Sequence, residues 1–99
     1  MTIDVDLGHH VYITDGARAV VTGEYAIACL KRHRAGDWGV CDGHDAAVNN
    51  ASAQAGGRVL SAYPLGPGMC LGHGPNTLWI ITEGEGSARR TTLLLPGEY

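Results

Sequence analysis

The sequence predicts an α+β domain: two to three short helices packed on one face of a three- to four-stranded antiparallel sheet. Three observations carry that expectation. In the first half, apolar residues recur at helical spacing, behind capping residues and ahead of glycines. In the second half, three stretches rich in β-branched or alternating residues are separated by Gly- and Pro-rich segments. The chain of 99 residues is long enough for one domain, 1–99, with a modest core.

The elements follow in order. Residues 2–7 set Ile3, Val5 and Leu7 against Thr2, Asp4 and Asp6, the period-two pattern of a half-buried strand or extended arm. Val11, Tyr12 and Ile13 suit a second short strand. Thr14 or Asp15 then caps a helical turn reaching Val20, with Ala17, Val20 and Val21 as its apolar face. Thr22 is the next N-cap, and the helix runs over 24–34 with Ala26, Ile27 and Leu30 as its stripe and Cys29 near the edge. Lys31, Arg32, His33 and Arg34 fill its last turn, where positive charge complements the helix dipole. Gly36 is the natural left-handed stop, and Asp37-Trp38-Gly39 turns the chain.

Asp42 or Asp45 caps a helix over 45–54, with Ala47, Val48 and Ala51 expected inside and Gly56-Gly57 as its end. Residues 58–63 read as a strand with Val59, Ser61 and Tyr63 on one side. Residues 64–77 form a Gly- and Pro-rich loop. Residues 77–83 are nearly all apolar or β-branched, as in a central strand covered on both faces. Residues 84–87 turn the chain, and 88–95 form the last strand, stopped by Pro96. The three final strands are expected to pair as an antiparallel meander.

Composition excludes some functions. The net charge of −3 is wrong for direct non-specific nucleic-acid binding, which calls for a basic surface. No apolar run is long enough to cross a bilayer, and the N-terminus has no signal-peptide pattern, so no membrane partner and a cytoplasmic setting are expected. The odd number of cysteines, Cys29, Cys41 and Cys70, then fits reduced thiols.

Two clusters could carry chemistry. Cys41-Asp42-Gly43-His44 and Cys70-Leu71-Gly72-His73 together supply two thiols and two imidazoles, a tetrahedral zinc set if their loops meet. Apart from that zinc, no cofactor is expected. His33, with Arg32, Arg34 and Asp37, could form an acid–base cluster, and Arg58, Arg89, Arg90, Thr91 and Thr92 could bind phosphate. The plainer reading makes His33 a dipole partner at a helix end and leaves the strand arginines solvated. No phosphate loop or nucleophile elbow is present.

One set of residues carries a resemblance: Arg32-His33 with Gly36-Asp37-Trp38-Gly39, then Asp45 and Asn49, then Gly57-Arg58 with Leu60-Ser61-Ala62-Tyr63. It continues with Trp79-Ile80-Ile81-Thr82-Glu83, then Thr91-Thr92-Leu93-Leu94-Leu95-Pro96, and closes with Glu98-Tyr99. From Leu7 onward this resembles a family of short proteins carried by plasmids, phages and other bacterial mobile elements. Against that family, 66–76 looks like an insertion. The Cys/His pairs lie outside the pattern, and Gly84-Glu85-Gly86-Ser87 replaces an expected Asp-Arg.

The resemblance implies a setting in a bacterial host. A non-enzymatic counter-defence inhibitor, of the anti-CRISPR or anti-restriction type, would bind a host defence protein or nucleoprotein complex. Its contact surface would use Asp37, Asp42, Asp45, Glu83 and Glu85. The alternative is a small metal-independent ribonuclease, because the layout is similar to toxin-type and barnase-type enzymes; His33, Arg58 and Thr92 would then act. A structural or regulatory partner in plasmid maintenance is the third expectation.

Overall fold

The structure is a computed structural model that describes residues 3–41, 43–65 and 76–99. Its elements are β1 (His10–Ile13), α1 (Asp15–Val20), α2 (Gly23–Arg34), α3 (Gly43–Gln54), β2 (Val59–Pro64), β3 (Thr77–Glu83) and β4 (Arg90–Leu94). Short 3-10 turns at Gly86–Ala88 and Pro96–Glu98 flank β4. The expected α+β class holds.

The sheet order is β1-β4-β3-β2. β2, β3 and β4 form the expected antiparallel meander. β1 departs from expectation: it runs parallel to β4, so the sheet is mixed. The short turn between β3 and β4 obliges those strands to reverse, but β1 is separated from β2 by three helices and is free of that constraint. Long-range bonds set its direction. The Thr14 amide donates to the Leu93 carbonyl at 3.0 Å and the His9 amide to the Arg89 carbonyl at 3.3 Å. Residues 3–8 are the extended arm rather than a strand, and Val5 is buried.

The helices lie on the sheet face that carries Tyr63, Leu78, Ile80 and Leu93, where Ala17 of α1 and Cys29 of α2 close one core cluster. A second cluster joins Val5 and Trp38 to Val59, with Ala46 and Ala53 of α3 against it. The caps expected for the first two helices are met, while of the two expected for α3 Asp45 lies inside its first turn and Asp42 lies outside the described residues. Thr14 and Thr22 side chains each accept an amide at 3.1 Å from Ala17 and Tyr25. At the far end of α2, Gly36 is left-handed, its amide bonds the His33 carbonyl and the Asp37 amide bonds the Arg32 carbonyl. That is the paired helix-stop geometry that glycine allows.

The inner face of α3 differs from expectation. Ala47, Val48 and Ala51 are all exposed, and Ala46, Asn49 and Ala53 point inward instead. The cause is β2. As an edge strand it presents outward amides and carbonyls, and these need partners. The Asn49 side chain donates to the Leu60 carbonyl at 2.7 Å and accepts the Leu60 amide at 3.2 Å. The Ala62 amide donates to the Trp38 carbonyl and the Val40 amide to the Ala62 carbonyl. The Ser52 hydroxyl donates to the Arg58 carbonyl, and the Tyr25 hydroxyl to that of Pro64. A Cβ on Gly39 would sit 1.9 Å from the Ala62 carbonyl oxygen, so only glycine allows the corner to approach this edge.

Asn49→Ala removes both side-chain bonds and strands two backbone groups of Leu60. Chemical denaturation is expected to show a loss of about 2 kcal/mol, with the urea slope unchanged.

Candidate functional site

The corner after α2 is fixed from both sides. Asp37 takes two bonds from Arg32, 2.7 Å from Nε and 3.2 Å from Nη2, and accepts the Gly39 amide at 3.2 Å. The Arg32 guanidinium holds the Asp37 carboxyl below the usual carboxylate range. It also lies over the Tyr63 ring, 4.8 Å from the centroid. The Tyr63 hydroxyl donates to the Asp37 carbonyl at 2.7 Å. The corner is thus bolted to β2.

One residue after Arg32, on the inner side of α2, His33 is fully buried. Its Nδ1 lies 2.5 Å from Ser61 Oγ and its Nε2 lies 2.8 Å from Thr82 Oγ1. Thr82 Oγ1 lies 2.7 Å from Thr91 Oγ1, which donates to the Leu7 carbonyl at 2.8 Å. That last bond sets the direction of every other one. A carbonyl can only accept, so the Thr91 proton is used there. Thr91 must then accept from Thr82, and Thr82 must accept from His33 Nε2–H. His33 Nδ1 is left as an acceptor for the Ser61 hydroxyl. The chain Ser61→His33→Thr82→Thr91→Leu7 is complete with a neutral imidazole in one tautomer. It ties β2, α2, β3, β4 and the N-terminal arm together through one line of bonds.

Burial, and then the charge of Arg89, lower the His33 pKa to about 4. Arg89 is itself buried. Its Nε donates to the Asp6 carbonyl at 2.6 Å, and its two Nη atoms donate to the carbonyls of Gly56, Gly57 and Gly84 at 3.0–3.3 Å. Among the described residues no carboxylate pairs with it. Four carbonyls, two of them just past the negative end of α3, do that work instead. The phosphate role considered for Arg89 and Thr91 therefore meets side chains already occupied inside the fold.

The ribonuclease trio is not brought together. His33 reaches Thr82 and Ser61 on the helix-covered face. Thr92 pairs with Ile81, whose side chains project from the other face. Arg58 is exposed and donates to the Tyr99 hydroxyl at 2.8 Å, with its guanidinium 5.7 Å from that ring's centroid. Arg90 is exposed and sits 3.8 Å from Glu83.

The acids expected at a contact surface are dispersed. Asp37 and Glu83 each face an arginine, Glu85 lies exposed in the β3–β4 turn, and Asp45 is in the first turn of α3. Asp42 lies outside the described residues. So do Cys70 and His73, half of the zinc set. Of the other half, Cys41 donates to the Trp38 carbonyl at 3.3 Å, and His44 is exposed at the start of α3. Among the described residues no three His, Cys, Asp or Glu side chains group as metal ligands.

The sequence reading missed the buried chain, the Asn49 edge cap and the Arg89 hub. One signal was available: Ser61 and Thr82 alternate with apolar residues on inward strand positions, where a polar side chain needs a buried partner. Comparison with protein-family models, with curated proteins and with solved structures gives no match. No helix among the described residues is long and apolar enough to cross a membrane.

The low His33 pKa has a definite sign. The unfolded chain takes up a proton near pH 6.5, whereas the folded chain resists until about pH 4. This contribution to stability is therefore complete above about pH 6.5 and falls as pH drops toward 4, by roughly 3 kcal/mol in all. Denaturation at stepped pH checks the slope, and the His33 ring resonance in NMR should stay neutral at pH 5. Arg89→Met is expected to move the His33 midpoint upward and to lower stability by about 3 kcal/mol, because four carbonyls lose their donor.

Proposed function

We propose that this chain is a non-enzymatic binding protein of a bacterial mobile element, acting in the host cytoplasm as a counter-defence inhibitor of the anti-CRISPR or anti-restriction type. Its partner is a host nuclease protein or nucleoprotein complex, and it works without a cofactor. The mobile-element setting comes from the resemblance of the sequence pattern. The observation that carries the binding role is the burial of His33. Of the pattern residues it is the one suited to proton transfer near neutral pH. Both of its ring nitrogens are engaged inside the core, out of reach of any substrate phosphate.

The same logic extends to the pattern's other polar residues. Asn49 caps a strand edge, Asp37 pins the corner, Ser61, Thr82 and Thr91 complete the buried chain, and Arg58 holds Tyr99. A residue pattern that maintains a scaffold suits a protein whose activity lies in its surface. Asp45 and Glu85, with the arginine-paired Asp37 and Glu83, are the acids offered to a basic nucleic-acid groove on the target. There they would speed association more than they fix affinity.

The test is survival. Expression in cells armed with a panel of CRISPR and restriction systems should protect incoming phage or plasmid against at least one, and the chain should co-purify with that complex. Unchanged survival across the panel, or RNA cleavage by the purified protein that is lost with Thr92→Ala or Arg58→Ala, would overturn the reading. Those two positions are better probes than His33, because His33→Ala is expected to lower stability by about 3 kcal/mol, so that a loss of activity there would not separate chemistry from folding. Metal analysis of protein purified without added zinc is expected to find none; a stoichiometric content would bring Cys41, His44, Cys70 and His73 back into play.

A further inference from the structure

The two edges of the sheet are treated in opposite ways. The outward groups of β2 are met from Arg58 to Pro64. β1 lies at the other end, and three of its four residues are exposed. In a parallel ladder alternate residues bond the neighbour. The Thr14 amide bonds β4, which places Tyr12 in the same phase and turns the amides and carbonyls of Val11 and Ile13 away from the sheet. The usual edge protections, lysine, proline or an inward charge, are missing from His10–Ile13.

Beside this edge lies an apolar hollow of about 160 Å³ between β1 and α2, lined by Val11, Tyr12 and Ile13 of the strand, Ala26, Ile27 and Leu30 of the helix, and Leu93. Val11 is 48 % exposed, Tyr12 51 % and Ile27 57 %. These are three of the six exposed large apolar side chains among the described residues. Scattered singly such residues mean little, but grouped beside a strand edge that has no bonded neighbour among the described residues they mark an interaction surface.

We infer that the occupant of this edge is a second copy of the chain, joined by antiparallel pairing of β1 with β1 into a continuous eight-stranded sheet. Self-complementarity singles out that occupant. A two-fold axis normal to the sheet through Tyr12 sets Val11 of each copy opposite Ile13 of the other. Because those are the two residues facing outward, both pairs exchange both backbone bonds. The two Tyr12 rings meet on the face away from the helices.

The same axis keeps both α2 helices on one face and runs them in opposite directions. Glu24 and Lys31 are both exposed and flank Ile27, three residues before it and four after. Ile27 shares the hollow with Tyr12, so an axis through Tyr12 turns the two Ile27 side chains toward each other and, with the helices antiparallel, Glu24 of each copy toward Lys31 of the other. One surface patch thus supplies its own hydrogen-bond, apolar and charge complement, which a two-fold interface requires. The inference does not rest on the counter-defence reading.

Light scattering and sedimentation of the full chain over a dilution series should give twice the chain mass at high concentration. Val11→Lys and Ile27→Asp should each give a monomer while keeping the far-ultraviolet spectrum. Glu24→Lys should raise the dimer dissociation constant about tenfold, since two symmetry-related pairs reverse together. Adding Lys31→Glu to it should restore dimerisation. A monomer at every concentration overturns the inference. So does a dimer indifferent to Val11→Lys and Ile27→Asp, or one weakened by Glu24→Lys but not rescued by the second change.

Discussion

A single neutral imidazole holds this fold together. His33 sits where α2 crosses the sheet, and it bridges β2 and β3 through the hydroxyls of Ser61 and Thr82. The bridge survives burial only because each proton has one destination. Thr91 gives its proton to the Leu7 carbonyl, and that choice propagates back along the chain to Ser61. A buried polar network of this kind favours one arrangement over all others, because slipping any strand by one residue strands several donors at once. Apolar packing around Ile80 and Leu93 supplies the larger share of the driving force, but it specifies position less sharply.

Arg89 bears on the same centre from outside it. The guanidinium gathers carbonyls from the arm, from the end of α3 and from the β3–β4 turn. Its charge also disfavours a second positive charge on His33. The two groups therefore act together: one cation is accommodated by oriented carbonyls, and the imidazole beside it stays neutral. The polar core and the predicted loss of stability in acid thus have one physical origin.

Much of this architecture was legible in the sequence. The caps of α1 and α2, the glycine stop at Gly36 and the β3–β4 hairpin follow from local chemistry, since each is decided within a few residues, and the alternating pattern of 58–63 was enough to add β2. The parallel placement of β1 was not legible, because it depends on contacts with residues 79 or more positions away. The inner face of α3 was misread for a related reason. Hydropathy puts Val48 inside and Asn49 outside, but the strand edge needs amide groups more than the core needs one more valine. His33 was read as a cation at a helix end, which is its position along the chain; Ser61 and Thr82 determine where its ring points.

The sequence pattern that runs from Arg32 to Tyr99 is rich in residues that do chemistry elsewhere: His, Arg, Asp, Asn, Ser and Thr. Here their side chains answer one another. Arg32 meets Asp37, Arg58 meets Tyr99, and Glu98 accepts from Thr14. A small domain without phenylalanine and with few large apolar residues has less core to fix its register, so it leans on directed polar contacts to do so. Such contacts constrain residue identity as tightly as catalysis would, because an amide or imidazole cannot be exchanged without leaving a partner unmet. A pattern of this sort therefore reports the scaffold. What the protein recognises has to be sought at side chains the scaffold does not consume, and the exposed residues of β1 and the outer face of α2 form one such group outside the pattern.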